Sequence, residues 1–236
     1  MHVRAVFVKW PAARRGAERG LGNSETHGII LEQPMTSKDL NVIFDLGGVL
    51  LEWNPARIVA ERYAEHAHRE LIEEKVFRHQ DWLELDRGTL DEETAIERFH
   101  QRTGFARDDL SGLMDAMRES LLLKRDTWAL LHELHGNGMP LYCLSNMAAS
   151  TFRYLQARYD VWSVFSGIVI SGEIRMIKPD PDIFEHLLAK YGLDRSRTVF
   201  IDDLAANVDA AQQLGLHGIH FRNAEDCRAQ LNAISR

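Results

Sequence analysis

The sequence predicts an α/β fold: a parallel sheet, with a helical cap inserted into one of its crossovers. Short apolar runs at residues 41–44, 140–144, 167–170, 198–201 and 218–221 alternate with helix-periodic segments, the pattern of repeated βαβ units. Three of these runs end in polar residues, at Asp45, at Ser145-Asn146 and at Asp202-Asp203. Right-handed crossovers would bring all of those ends to one edge of the sheet. Finally, residues 54–124 read as almost entirely helical, which is too long for a simple crossover.

Taken in order, the stretch Asn41-Val42-Ile43-Phe44 reads as a buried strand that ends on Asp45. The glycines of Asp45-Leu46-Gly47-Gly48-Val49 then provide a tight turn whose backbone N–H groups can approach an anion. Asn54 is suited to cap a helix and Pro55 to its first position. Apolar spacing predicts helices at 55–63, 69–78, 92–102 and 110–123, with breaks at Gly88 and Gly104, and places Asp86-Arg87-Gly88-Thr89 on a turn. Asp126 is expected to cap a helix at 127–135, stopped by Gly136-Asn137-Gly138. Helices at 148–158, 181–190 and 206–214 fill the remaining crossovers, the second opened by Lys178-Pro179-Asp180-Pro181. The expected organisation is therefore an extension over 1–38, an α/β core from 39–53 and 125–236, and a cap over 54–124. The first 34 residues carry Arg4, Arg14, Arg15 and Arg19 without apolar periodicity, and read as a disordered leader or as sequence upstream of a start at Met35.

Composition narrows the function. The chain has 236 residues and a formal charge of -7, which opposes a general nucleic-acid surface but not a small phosphorylated metabolite held by a few local donors. No apolar run reaches the length of about 20 residues that a membrane span needs. Two distant cysteines, Cys143 and Cys227, do not make a disulfide framework. A cytoplasmic protein with no obligate protein partner is the expectation.

The strand-end residues complement one another chemically. A carboxylate such as Asp45 can attack phosphorus. A hydroxyl, an amide and an ammonium from Ser145, Asn146 and Lys178 can hold phosphoryl oxygens. The Asp202-Asp203 doublet suits a hard cation such as Mg²⁺, which would relieve repulsion between the attacking carboxylate and its anionic target. Read without these companions, Ser145 is a helix-starting residue, Lys178 a loop lysine and the doublet a solvated turn.

In these motifs, over roughly residues 41–219, the chain resembles the haloacid dehalogenase-like hydrolases, in the branch with a Rossmann-like core and a cap inserted after the first motif. The resemblance implies Asp45 as nucleophile, with Mg²⁺ held by Asp45, the Gly47 carbonyl and Asp203, and by Asp202 directly or through water. It implies phosphate binding by Gly47, Gly48, Ser145, Asn146 and Lys178, and an orienting role for Asn207. The chain departs from the pattern at Gly47, where most phosphatases of this family carry a second aspartate as general acid and base. The Asp-Leu-Gly-Gly-Val motif and the Trp82…Asp86-Arg87-Gly88-Thr89-Leu90 stretch resemble a sugar-1-phosphate phosphatase subgroup, for which a hexose-1-phosphate substrate is implied. A good leaving group, a cap side chain or a water would then compensate for Gly47.

Arg87 is suited equally to clamping substrate phosphate and to a surface or intra-cap ion pair. His132 and His135, three apart, fit a polar helix face better than a zinc site. Trp53 and Trp82 fit cap core better than a sugar-stacking platform, and Cys143 reads as inert packing. Competing readings are a metal-independent 2-haloacid dehalogenase, which the Asp202-Asp203 doublet opposes, a catalytically impaired ligand-binding protein, and a mutase, for which Gly47 is a handicap.

Overall fold

The computed structural model describes residues 40–235. The expected leader at 1–38 lies outside them. Among the described residues, five parallel strands form one sheet: β1 (Asn41–Phe44), β2 (Leu141–Ser145), β3 (Gly167–Ile170), β4 (Thr198–Asp202) and β5 (His217–His220). Their order is β3-β2-β1-β4-β5, with β1 at the centre. The chain builds β2 and β3 on one side of β1, then crosses back to place β4 on the other. The crevice beyond the carboxyl ends of β1 and β4 is thus a topological switch point, where open α/β sheets bind ligands. Register brings the two polar ends level: Phe44 pairs with Ile201, and the Asp45 N–H donates to the Ile201 carbonyl at 2.9 Å.

Alternation along each strand feeds two cores. Ile43, Leu144 and Phe200 face α9 (Pro181–Tyr191), where Phe184 meets Phe200 edge-on at 5.1 Å. Val42, Phe44, Cys143 and Ile201 face the opposite way, toward Leu130 and Leu131 of α6 (Arg125–Gly136). Strands buried on both sides explain why their sequences read as unbroken apolar runs.

Between β1 and α6 lie α1 (Pro55–Arg62), α2 (His66–Ile72, continuing as a π turn to Phe77), α3 (Gln80–Arg87), α4 (Glu92–Thr103) and α5 (Arg107–Ser120). Asn54 caps α1 by accepting from the Arg57 N–H at 2.9 Å, with Pro55 in the first turn. Buried Asp81 ties the helices together by pairing with Arg98 at 2.9 Å and with Arg102.

Some local expectations are corrected. Asp126 does not cap α6. The helix starts two residues earlier and Lys124 holds the cap position, so Asp126 sits in the first turn, where its charge suits the helix dipole. Asp86 and Arg87 close α3 rather than lie on a turn, and the chain reverses at Gly88, whose φ of 78° is left-handed. Helices α3 and α11 (Ala224–Ile234) were not foreseen. The remaining crossovers hold α7 (Ala149–Arg158), the single turn α8 (Ser171–Ile174) and α10 (Ala205–Gln213).

Candidate active site

Four strand-end segments meet at the switch point. Lys178 is the hub, 3% exposed, with its Nζ 2.6 Å from Asp202 Oδ2, 2.9 Å from Asp45 Oδ1 and 3.0 Å from the Leu144 carbonyl. Burial works against its charge, but Asp45 and Asp202 outweigh that and hold its pKa above the usual lysine value. Asn146 fixes the Lys178 backbone: Oδ1 accepts from the Lys178 N–H and Nδ2 donates to the Lys178 carbonyl, both at 2.8 Å. The side chain expected to bind phosphate thus has an oxygen and an N–H committed to positioning the lysine.

Asp202 is similarly committed. Oδ1 accepts from the Leu204 N–H at 2.9 Å and from Asn207 at 3.0 Å, while Oδ2 accepts from Lys178 and from Asn207 at 3.1 Å. With four hydrogen bonds from three donors on its two oxygens and no exposure, Asp202 is better placed to orient Lys178 than to ligate a cation directly. Asn207 contacts only this member of the doublet.

Asp45 remains available. Its Oδ1 is buried and receives no aligned hydrogen bond, although Lys178 Nζ is near. Burial pushes its pKa up to about 7; Lys178 opposes that shift and Asp202 reinforces it, while the adjacent Ser145 hydroxyl also opposes it. Burial and the charge of Asp202 likewise hold Asp203 above the usual carboxylate range. Ligand oxygens of Asp45, Asp202 and Asp203 all lie within 4.8 Å of one another. Three carboxylates beside one ammonium leave an excess of negative charge, and the buried Asp45 Oδ1, ion-paired with Lys178, has no aligned hydrogen-bond donor. This donor set fits a hard divalent cation.

The two glycines differ. Gly48 has φ +75°, and a Cβ there would come within 2.2 Å of Asp203 Oδ2. It makes room for that carboxylate, and its side of the turn lies outside the cavity lining. Gly47 does line the cavity, and a Cβ on it would make ordinary contact with Trp53 at 3.8 Å. Arg87 is also not a lining residue. It donates to Asp180 Oδ2 at 3.2 Å in a half-exposed pair that joins the end of α3 to the loop after Lys178, a partner outside the cap rather than the intra-cap one considered from the sequence.

The cavity measures about 510 Å³ and is walled by the insertion. Trp53, Phe77 and Trp82 form a contiguous aromatic cluster with centroids 4.6–6.1 Å apart. They are core, as expected, and also the wall of the cavity. Met117 and Leu121 extend it, and Leu83 and Leu204, 55% and 57% exposed, add two apolar residues that face solvent. Asp86 lies on the same wall and was not singled out for a role from the sequence. Its signals were a carboxylate four residues after Trp82, one helical turn on, and its place in the stretch that carries the subgroup resemblance. His132 and His135 are exposed on α6, where Glu133 between them pairs with Arg228 at 2.7 Å. Burial pushes the Cys143 thiol well up, consistent with inert packing. Among the described residues, no helix is long and apolar enough to cross a membrane.

Comparison with known proteins agrees with this geometry. The chain is 29% identical to the sesquiterpene phosphatase astK of Aspergillus oryzae, over 77% of this chain and 89% of astK. It is 30% identical to the drimenol cyclase drtB of Aspergillus calidoustus over 82% of this chain, but spans only 36% of drtB. The crystal structure of the HAD family enzyme bt-2542 from Bacteroides thetaiotaomicron superposes with a TM-score of 0.66 at 25% identity, covering 81% of this chain and 97% of that one. That enzyme has also been crystallised with magnesium and inorganic phosphate. The family model for haloacid dehalogenase-like hydrolases matches residues 41–215, and the chain belongs to that family.

Proposed function

We propose that this protein hydrolyses a small phosphomonoester with Mg²⁺, through an aspartyl-phosphate on Asp45. The observation that carries this reading is the convergence of Asp45, Lys178 and Asp203 around one point, with Asp45 Oδ1 left without an aligned donor. The carboxylates of Asp45 and Asp203 and the Gly47 carbonyl would hold the cation, which when bound offsets the charge of the nucleophile and of the phosphoryl oxygens. Lys178, locked by Asn146 and Asp202, would bind a phosphoryl oxygen together with the Ser145 hydroxyl. Asp45 would attack in line, and water would then cleave the acyl phosphate.

The helices over residues 54–124 would act as the cap that sets substrate choice. A hexose-1-phosphate needs polar partners for several hydroxyls. The wall beside Asp45 is mainly apolar, with Trp53, Phe77, Trp82, Met117 and Leu121, and its polar groups are few: Asn54, Thr151, Asp86 and the paired Glu73 and Arg78. This wall chemistry favours the phosphate of a largely apolar alcohol over the sugar phosphate expected from motif resemblance, and astK, by its name, is a phosphatase of such compounds. The test is phosphate release from a prenyl or long-chain alkyl monophosphate and from glucose-1-phosphate, with Mg²⁺ and with EDTA. The expected result is magnesium-dependent release, faster from the apolar ester. Faster release from the sugar ester would restore the sugar reading, and metal-independent halide release from a 2-haloacid would replace both.

A further inference from the structure

An apolar alcohol is a poor leaving group, and Gly47 has no side chain to protonate it. We infer that Asp86, from the end of α3, supplies and takes up the proton in place of the aspartate that most phosphatases of this family carry at position 47. This assignment rests on the phosphatase reading above.

Asp86 lines the same cavity as Asp45 and Gly47. Its backbone is fastened to the sheet edge: the Asp86 carbonyl accepts from Ser171 Oγ at 2.6 Å, and the same Oγ accepts from the Met147 N–H at 2.8 Å. Ser171 is fully buried. The next turn is held as tightly, since a Cβ on Gly88 would meet the Gly172 carbonyl at 2.4 Å. The loop after Ser145-Asn146 and the end of α3 are therefore one joined unit. The Ala148 backbone N–H and the Trp82 indole both interact with the Asp86 carboxyl. The backbone of Asp86 is thus fixed beside the cavity.

The surroundings also suit proton transfer. The other charged groups on the cavity wall are Glu73 and Arg78, which pair with each other at 3.2 Å, and Asp45, Lys178 and Asp203 of the sheet edge. No cation pairs with Asp86 among the described residues. Burial, opposed by the Ala148 N–H and by Trp82 and reinforced by the charge of Asp45, pushes its pKa up to about 8. A carboxyl that keeps its proton near neutral pH is matched to general acid work.

Asp45 forms a bond to phosphorus as the bond to the alcohol oxygen breaks, and that oxygen takes the Asp86 proton. A water oxygen then bonds to phosphorus while its proton passes to the Asp86 carboxylate. The bond between Asp45 and phosphorus breaks, phosphate leaves, and both side chains return to their starting states.

The test compares the full-length protein with Asp86→Asn on two esters, an alkyl monophosphate and p-nitrophenyl phosphate, with Mg²⁺ present. A nitrophenolate leaves without a proton. The variant is expected to lose about 10²- to 10⁴-fold on the alkyl ester. On the aryl ester it should release one equivalent of nitrophenolate at close to the wild-type rate and then stall, because the second step still needs a base. That burst also reports a folded site. Wild-type rates for the variant on both esters, or an equal loss on both with no burst, would overturn the assignment. If the unmodified protein releases phosphate from neither ester, the phosphatase reading itself fails and this assignment falls with it.

Discussion

At the carboxyl edge of the sheet a chain of polar groups binds one to the next: Asn146 to the backbone of Lys178, Lys178 to Asp202, Asp202 to Asn207. The insertion facing it is built differently, from a cluster of tryptophan, phenylalanine and leucine with the carboxyl of Asp86 set into it. The first region is preorganised by reciprocal hydrogen bonds within a buried layer, where leaving one partner unpaired is costly. The second is shaped by packing and tolerates exchange of one apolar side chain for another. The contrast teaches a division of labour: chemistry common to the family belongs to the edge, whereas the leaving group and its proton belong to the insertion.

Perturbing the two regions should therefore give different signatures. The largest effect is expected at the edge: Asp45→Asn should lower turnover by at least about 10⁴-fold on every ester, as loss of a nucleophile does. Retention of turnover in a phosphate-release assay would remove Asp45 from the mechanism. Next in size, Asn146→Ala should free the Lys178 backbone and cost about 10²-fold, in line with small misplacements of a catalytic group. That loss should be equal for alkyl and aryl esters, and a loss confined to one ester would blur the proposed division.

Gly48→Ala should act through the metal. It forces a left-handed residue, at about 1–2 kcal/mol, and pushes the Asp203 carboxylate from its place. A raised magnesium requirement is expected in a titration of activity, and an unchanged requirement would separate Asp203 from the cation. A smaller effect is expected from Gly47→Asp in the Asp86→Asn background. A Cβ fits at position 47, so partial recovery on the alkyl ester is expected, and recovery on the aryl ester alone would count against a proton-transfer role.

The pH dependence of stability separates the same groups. The pKa values of Asp45 and Asp86 rise from 3.8 to about 7 and about 8 on folding. Groups raised in this way favour the folded state below the unfolded pKa, and that contribution is lost as pH climbs through the folded value. Metal-free protein should thus melt at progressively lower temperature from about pH 4 to pH 8. Magnesium should restore stability at the upper end by favouring the Asp45 carboxylate. Melting temperatures that do not change with pH in EDTA would contradict the buried state of these carboxyls.

Much of the fold was legible because strands buried on both faces announce themselves as apolar runs, and parallel connection forces their polar ends together. The meeting of Asp45, Ser145 and Asp203 at one edge could therefore be expected in advance. What Asn146, Asp202 and Arg87 contact could not, because their partners lie 32, 24 and 93 residues away in sequence. Short helices were equally opaque. The stretch Gln80–Arg87 carries few apolar residues, and α11 buries only Ala224, Cys227 and Leu231. Asp86 was hidden for the same reason, since only the docking of α3 against Ser171 and Gly172 brings it to the cavity.

The most direct measurement is acid-quench mass spectrometry of the protein during turnover of p-nitrophenyl phosphate with Mg²⁺. The account predicts one added phosphoryl group on the peptide that contains Asp45, absent in EDTA and accumulating in Asp86→Asn. Continued phosphate release with that peptide unmodified, or with the phosphoryl group on another residue, would contradict it.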